Sequence, residues 1–162
     1  ITLLNKLGYR VADVTGRPEQ NGDLLRSLGA TRIIERAELA QPAKPLESTR
    51  WAGAVDTVGS QILAKVLAQT EYDGAVAACG LAGGMDLPTT VMPFILRNVK
   101  LIGVDSVYCP YEKRVAAWQK VAELLPESYY AAASNEIALE AVPEAAAQII
   151  RGEITGRTLV KL

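Results

Sequence analysis

Along Gly74-Ala75-Val76-Ala77-Ala78-Cys79 every residue is small or apolar, on both of the faces that a strand presents. Such a strand must be covered from two sides, which is the situation of an inner strand in a parallel sheet with helices packed over it. Comparable segments recur along the chain. Tyr9 to Val14, Arg32 to Glu35, Ala54 to Val58 and Val99 to Asp105 read as further strands. Between them, Asp23 to Leu28, Ala37 to Ala40, Gln61 to Gln69 and Val91 to Arg97 read as helices, and Tyr111 to Leu125 as the longest one, stopped by Pro126. Strand and helix alternate about five times through short connections. This pattern predicts an α/β fold with a doubly wound parallel sheet.

The two ends of the chain qualify that expectation. Ile1 to Leu7 reads as the end of a helix closed by Gly8. A doubly wound sheet opens instead with a strand and a glycine-rich phosphate loop. The reading is therefore a nucleotide-binding domain over residues 1–135 that lacks its first strand and glycine-rich loop. Residues 136–162 form a separate C-terminal segment: an extended stretch, a helix from Pro143 to Ile150 with proline at its first position, and a last strand from Thr158 to Leu162. Pro42 and Pro45 mark residues 41–50 as loop.

Composition narrows the chemistry. Hydrophobic residues make up 49% and charged residues 22%, ordinary for a globular protein. The formal net charge of -1 gives no broad field that would favour nucleic acid or an anionic membrane. No apolar run approaches the roughly 20 residues of a membrane span. The chain contains no histidine, so it supplies no Ser-His-Asp triad, no Cys-His pair and no histidine metal ligand. Its two cysteines, Cys79 and Cys109, are far apart and form no C-x-x-C pair, which suits a reducing cytoplasm. Neither a catalytic residue nor a metal ligand is assigned.

In sheets of this kind ligands gather at the carboxyl ends of the strands. After the first strand comes Thr15-Gly16-Arg17. Here NAD sites carry an acid for the ribose 2′-hydroxyl, whereas NADP sites carry small polar and basic residues for the 2′-phosphate. Thr15 offers a hydroxyl, Gly16 a bare backbone and Arg17 a planar fork of donors; the other reading is a plain turn with a solvated arginine. Asp13 lies two residues earlier and belongs inside the strand. Arg36 follows the second strand, where it either stacks on a purine beside Arg17 or is a surface arginine. After the third strand comes Asp56-Thr57-Val58-Gly59, where Asp56 reads as a structural carboxylate bonded to neighbouring backbone N–H groups. Cys79-Gly80-Leu81-Ala82-Gly83-Gly84 follows the fourth; its glycines permit close approach of a flat ring or simply a turn with positive φ. Cys79 reads as a small buried hydrophobe. Trp118, Tyr129 and Tyr130 read as packing residues.

Several runs together resemble a known group. They are Trp51-Ala52-Gly53-Ala54-Val55-Asp56-Thr57-Val58-Gly59, Cys79 to Gly84, Leu87-Pro88-Thr89-Thr90-Val91-Met92-Pro93-Phe94-Ile95-Leu96-Arg97, Gly103-Val104-Asp105-Ser106 and Gly156 to Leu162. They resemble the acryloyl-CoA reductase and quinone-oxidoreductase-like branch of the zinc-independent medium-chain dehydrogenases. The resemblance covers essentially the whole chain, and the Leu87–Arg97 run is its most specific part. It implies an NADPH-dependent reductase acting on the double bond of an activated enoyl substrate, acryloyl-CoA first, with a quinone as the alternative. It implies a 2′-phosphate site at Thr15, Gly16 and Arg17, a cofactor contact at Arg36, and a nicotinamide side lined by Gly59, Cys79, Gly80, Leu81 and, near the same pocket, Arg97. It also implies an N-terminal catalytic domain ahead of Ile1 that polarises the thioester, and a homodimer through the strand Val99–Val104. This chain alone is then expected to be inactive. A non-catalytic nucleotide-binding or dimerisation module is the rival from another class. A methyltransferase fits less well, because a nucleoside without a phosphate gives no reason for Arg17 and Arg36 together.

Overall fold

A computed structural model describes all 162 residues. The chain is α/β, and it divides into two compact units. One consists of Ile1–Ile34 with Val115–Leu162, the other of Glu35–Arg114.

The first unit opens with helix α1 (Thr2–Lys6), strand β1 (Val11–Thr15), helix α2 (Pro18–Ser27) and strand β2 (Ala30–Glu35), with β1 and β2 forming a two-stranded sheet. Helix α2 begins five residues earlier than its apolar residues suggest. Pro18 has the φ that a first helical turn needs and no N–H to leave orphaned, so it starts the helix directly after Arg17. Val11, Ala30 and Ile34 are buried.

The second unit runs through the short helix α3 (Arg36–Leu39), strand β3 (Trp51–Asp56), helix α4 (Ser60–Gln69), strand β4 (Thr70–Ala78), helix α5 (Met92–Arg97) and strand β5 (Lys100–Gly103). Its sheet has the order β3-β4-β5 with both pairings parallel. Gly53 lies opposite Ala75 and Asp56 opposite Ala78; Ala75 in turn lies opposite Lys100 and Ala78 opposite Gly103. The register jumps between Trp51, paired with Thr70, and Gly53. The extra β4 residues bulge there, with Asp73 at φ 65°. That bulge is why the strand begins at Thr70 although regular pairing resumes only at Ala75. The core is built on α4, where Ile62, Leu63, Ala64, Val66, Leu67 and Ala68 are all buried together with Val76 of β4, Leu39 of α3 and Val99.

After β5 come helix α6 (Tyr111–Leu124), helix α7 (Glu127–Ala133), strand β6 (Ser134–Ala138), a single 3-10 turn (Leu139–Ala141), helix α8 (Val142–Ile150) and strand β7 (Arg157–Lys161). Strands β6 and β7 pair in parallel, Ser134 opposite Arg157. Helix α7 carries the Tyr129-Tyr130 pair, whose rings meet edge to face at 5.5 Å, and Tyr130 is partly exposed. Trp118 on α6 is exposed too, so it does not do the packing expected of it.

The strands make three sheets, β1-β2, β3-β4-β5 and β6-β7. The last of these, together with α8, groups with the opening residues of the chain.

Candidate functional site

In the first unit the turn after β1 is shaped by its own side chains. Thr15 Oγ1 accepts the Arg17 N–H at 3.1 Å, and the Arg17 carbonyl accepts the Asn21 N–H at 3.0 Å. Arg17 is the N-cap residue of α2. The turn therefore presents a guanidinium at the positive end of a ten-residue helix, where main-chain N–H groups and the helix dipole both favour an anion. Sequence reasoning missed that helix end, and Pro18 was the signal for it. One Arg17 nitrogen donates to the Ile154 carbonyl at 3.0 Å. Asp13 lies within β1, and burial pushes its carboxyl above its ordinary value.

In the second unit Arg36 is the first residue of α3, directly after β2, and its exposed side chain makes no hydrogen bond or ion pair. At the carboxyl ends of β3 and β4 two glycine-rich turns interlock. The Cys79 N–H donates to the Asp56 carbonyl at 2.9 Å, Ala82 to Thr57 at 3.3 Å and Gly83 to Val58 at 2.7 Å. Asp56 is buried, and its Oδ2 accepts the Gly59 N–H at 2.9 Å, the structural part expected of it. Gly59 is buried at φ 74° and ψ -163°, and a Cβ there would lie 2.5 Å from the Gly84 carbonyl oxygen. A Cβ on Gly80 would lie 2.5 Å from the Thr57 carbonyl oxygen. Glycine is thus required where the two turns meet. Gly80 and Leu81 face solvent there, and so does Cys79, which is exposed rather than the buried hydrophobe expected from its type. The β4 strand ends at Ala78, so Cys79 starts the turn instead of closing the strand. Its Sγ donates to the Asp56 carbonyl at 3.3 Å.

The structure gives Arg97 a different place. Nη1 donates to the carbonyls of Ala68 at 2.9 Å and Thr70 at 3.3 Å, and Nη2 donates to that of Glu47 at 2.6 Å. Thr70 opens β4, so Arg97 sits at the amino ends of the parallel strands, opposite the ends that carry Gly59 and Gly80. It is a clamp on backbone carbonyls.

Around it lies a polar cluster that the sequence did not announce. Lys65 Nζ and Gln69 Nε2 each reach Glu47 at 2.8 Å, and Gln69 Oε1 accepts Trp51 Nε1–H at 3.1 Å. Arg50 lies over the Trp51 ring at 4.7 Å and pairs with Glu38 at 2.8 Å. Burial alone would push the Glu47 carboxyl up. Hydrogen bonds from Lys65, the Lys44 main chain and Gln69, with the Lys65 charge, outweigh burial and hold it at about 2 against an ordinary 4.5. A carboxylate depressed on folding adds stability above its unfolded value and loses it as pH falls through the folded one, here between about pH 4.5 and 2. The Glu47 side chain is 14% exposed but lines an open polar cleft, so solvent screening reduces the contribution to about 1–2 kcal/mol. We expect urea titrations at pH 5.5 and 3.0 to show a smaller acid-induced loss in Glu47→Gln than in the wild type. Equal losses would remove Glu47 from the acid response.

No helix is long and apolar enough to cross a membrane. An α/β unit with parallel strands whose carboxyl ends carry interlocked glycine turns is the build of a nucleotide-binding domain. The comparisons with known proteins agree: residues 1–126 match the family described as zinc-binding dehydrogenase, and the chain belongs to that family. It is 58% identical over its whole length to Probable acrylyl-CoA reductase AcuI of Escherichia coli K12 and covers 49% of that protein. The YhdH oxidoreductase of Salmonella enterica, solved in complex with NADP, superposes over 99% of this chain and 49% of its own, with a TM-score of 0.96 and 58% identity. Bacillus subtilis YhfP carries a quinone-oxidoreductase name and is 43% identical over 100% of this chain and 49% of its own length. Its structure, solved with NAD bound, superposes over 99% of this chain and 49% of its own with a TM-score of 0.93. The chain spans about half the length of the curated relatives it matches.

Proposed function

We propose that this chain is the cofactor-binding part of an NADPH-dependent medium-chain reductase acting on an activated carbon–carbon double bond, with acryloyl-CoA reduced to propionyl-CoA. The observation that carries the reading is the Thr15-Gly16-Arg17 turn on the N-terminus of α2. No acid stands at that turn to hold a ribose 2′-hydroxyl, while a guanidinium, a hydroxyl and a helix N-terminus together suit a 2′-phosphate. The residues also fit the rest of the cofactor. The exposed, unpaired Arg36 serves the adenosine side, and the bare turns at Gly59, Cys79, Gly80 and Leu81 admit a flat nicotinamide. Arg97 is left out of this set, because its donors are spent on carbonyls at the amino ends of the strands.

Bound NADPH supplies the hydride. The residues of this chain bind and orient it. No catalytic acid or base is assigned to them. The first strand, its glycine-rich loop and the groups that polarise the thioester carbonyl lie, on this reading, in further sequence of the complete protein. Residues 136–162 belong, on the same reading, to the part that returns to the catalytic domain. A quinone acceptor is the second reading, favoured by the quinone-oxidoreductase name of one 43% identical relative. We further infer a cytoplasmic homodimer. Its contact is the outer edge of β5, which pairs with β4 on one side only and exposes Leu101 and Ile102, with Val104 exposed directly after it.

The test compares acryloyl-CoA with a benzoquinone as acceptor, and NADPH with NADH as donor, in the full-length protein and its Arg17→Ala variant. We expect acryloyl-CoA and NADPH to be preferred. Arg17→Ala should weaken NADPH binding by about 1.5–3 kcal/mol, the worth of a hydrogen bond to a charged group, and leave NADH nearly untouched. An equal loss for both cofactors would contradict the assignment.

A further inference from the structure

Arg17 is tied to a part of the chain that no sequence motif connects with it. Its guanidinium donates to the Ile154 carbonyl, 137 residues away. The next residue repeats the connection: Thr155 Oγ1 donates to Asn21 Oδ1 at 3.0 Å. Arg17 is the N-cap of α2 and its carbonyl accepts the N–H of Asn21 one turn on, while Ile154 and Thr155 are consecutive in the turn between α8 and β7. Gly156, at φ 81°, then lies against the Ala133 carbonyl at the end of α7. Two successive residues of the turn are thus hydrogen-bonded to Arg17 and to the helix that presents it. All of them lie within the same compact unit.

A free arginine loses much rotamer freedom when it clasps a phosphate, and pinning one nitrogen beforehand removes part of that loss. The Ile154 carbonyl is neutral, so it orients the guanidinium without cancelling its charge. A guanidinium has five N–H donors, and one bond to a carbonyl leaves the others for an anion. We propose that Thr155, bonded to Asn21, is a positioning residue: it seats the Ile154 carbonyl against Arg17 and thereby sharpens recognition of a nucleotide 2′-phosphate. This rests on the reading of Arg17 as the 2′-phosphate ligand.

The test measures calorimetric affinities of 2′,5′-ADP and 5′-AMP for the full-length protein and for Thr155→Val, Thr155→Ser, Arg17→Ala and the Arg17→Ala/Thr155→Val double variant. Thr155→Val should weaken 2′,5′-ADP roughly 2–5-fold, within the worth of one neutral hydrogen bond, and leave 5′-AMP unchanged. Thr155→Ser should restore wild-type affinity. In the Arg17→Ala background Thr155→Val should add no further loss, because the two act through one contact. If Arg17→Ala discriminates between the two nucleotides while Thr155→Val does not, the positioning role is overturned and the 2′-phosphate site stands. If Arg17→Ala itself fails to discriminate, the 2′-phosphate site falls and the positioning role falls with it.

Discussion

Arg97→Ala is expected to lower the stability of the protein by about 3–4 kcal/mol while leaving its preference between NADPH and NADH unchanged. The guanidinium joins three carbonyls, those of Glu47, Ala68 and Thr70, which belong to a loop, the last turn of α4 and the first residue of β4. Each bond is charge-assisted, and the acceptors lie where α4 packs into the core. The Thr70 side chain, itself fully buried, donates to the Val66 carbonyl at 2.8 Å in the same region. Removing the fork takes a charged donor from each of those carbonyls; that of Ala68 keeps a second one, the Glu47 N–H at 3.0 Å. Lysine offers no planar fork, so Arg97→Lys should recover only part of the loss. For a chain of this length the alanine variant should melt roughly 10 °C lower. A variant with unchanged melting temperature and a selective loss of NADPH affinity would return Arg97 to the cofactor pocket.

Gly59→Ala is the second large effect, and it strikes the opposite ends of the strands. At φ 74° and ψ -163° the residue occupies a backbone region that is essentially closed to side chains. A Cβ would in addition lie 2.5 Å from the Gly84 carbonyl oxygen of the interlocked turn. That acceptor is main chain and has no rotamer by which to withdraw. The two costs together come to about 3 kcal/mol. The variant has one way to relieve them, which is to part the two turns. The Gly59 N–H would then leave Asp56 Oδ2, and the bonds from Ala82 and Gly83 would lengthen. We therefore expect a lower melting temperature together with weakened binding of both NADPH and NADH, since the nicotinamide side proposed for these turns is common to them. Wild-type stability with wild-type affinity would show that the turns do not meet as described.

The two variants also mark what was legible in the sequence. Helix α4 was readable because burial along Ile62–Ala68 leaves few residue types available, and β4 because of its small apolar residues. Only the Gly74 and Val76 face of β4 is buried, however, and Ala75 and Cys79 are exposed, so the strand is not covered from both sides as expected. The glycines of the two turns were readable as turn residues, and the reason for them became visible only when Gly59 was found against Gly84 and Gly80 against Thr57. Arg97 was misplaced because its partners are backbone carbonyls up to 50 residues away, and any sequence supplies carbonyls. Glu47 follows two prolines in a loop whose composition says nothing of a carboxylate paired with Lys65 and Gln69. The start of α2 was missed because helical periodicity begins only at Leu24, while the signal was the single Pro18. The bond from Arg17 to Ile154 spans nearly the whole chain and left no trace in local pattern.

The central claim is that the turn after β1 recognises a 2′-phosphate. The most direct measurement is a calorimetric titration of the full-length protein with NADPH, with NADH and with 2′,5′-ADP, which carries the discriminating phosphate. The account predicts that NADPH and 2′,5′-ADP bind and that NADH binds at least about 10-fold more weakly than NADPH, the least that a charge-assisted phosphate contact is worth. Equal affinity for NADH and NADPH, with no binding of 2′,5′-ADP, would contradict it.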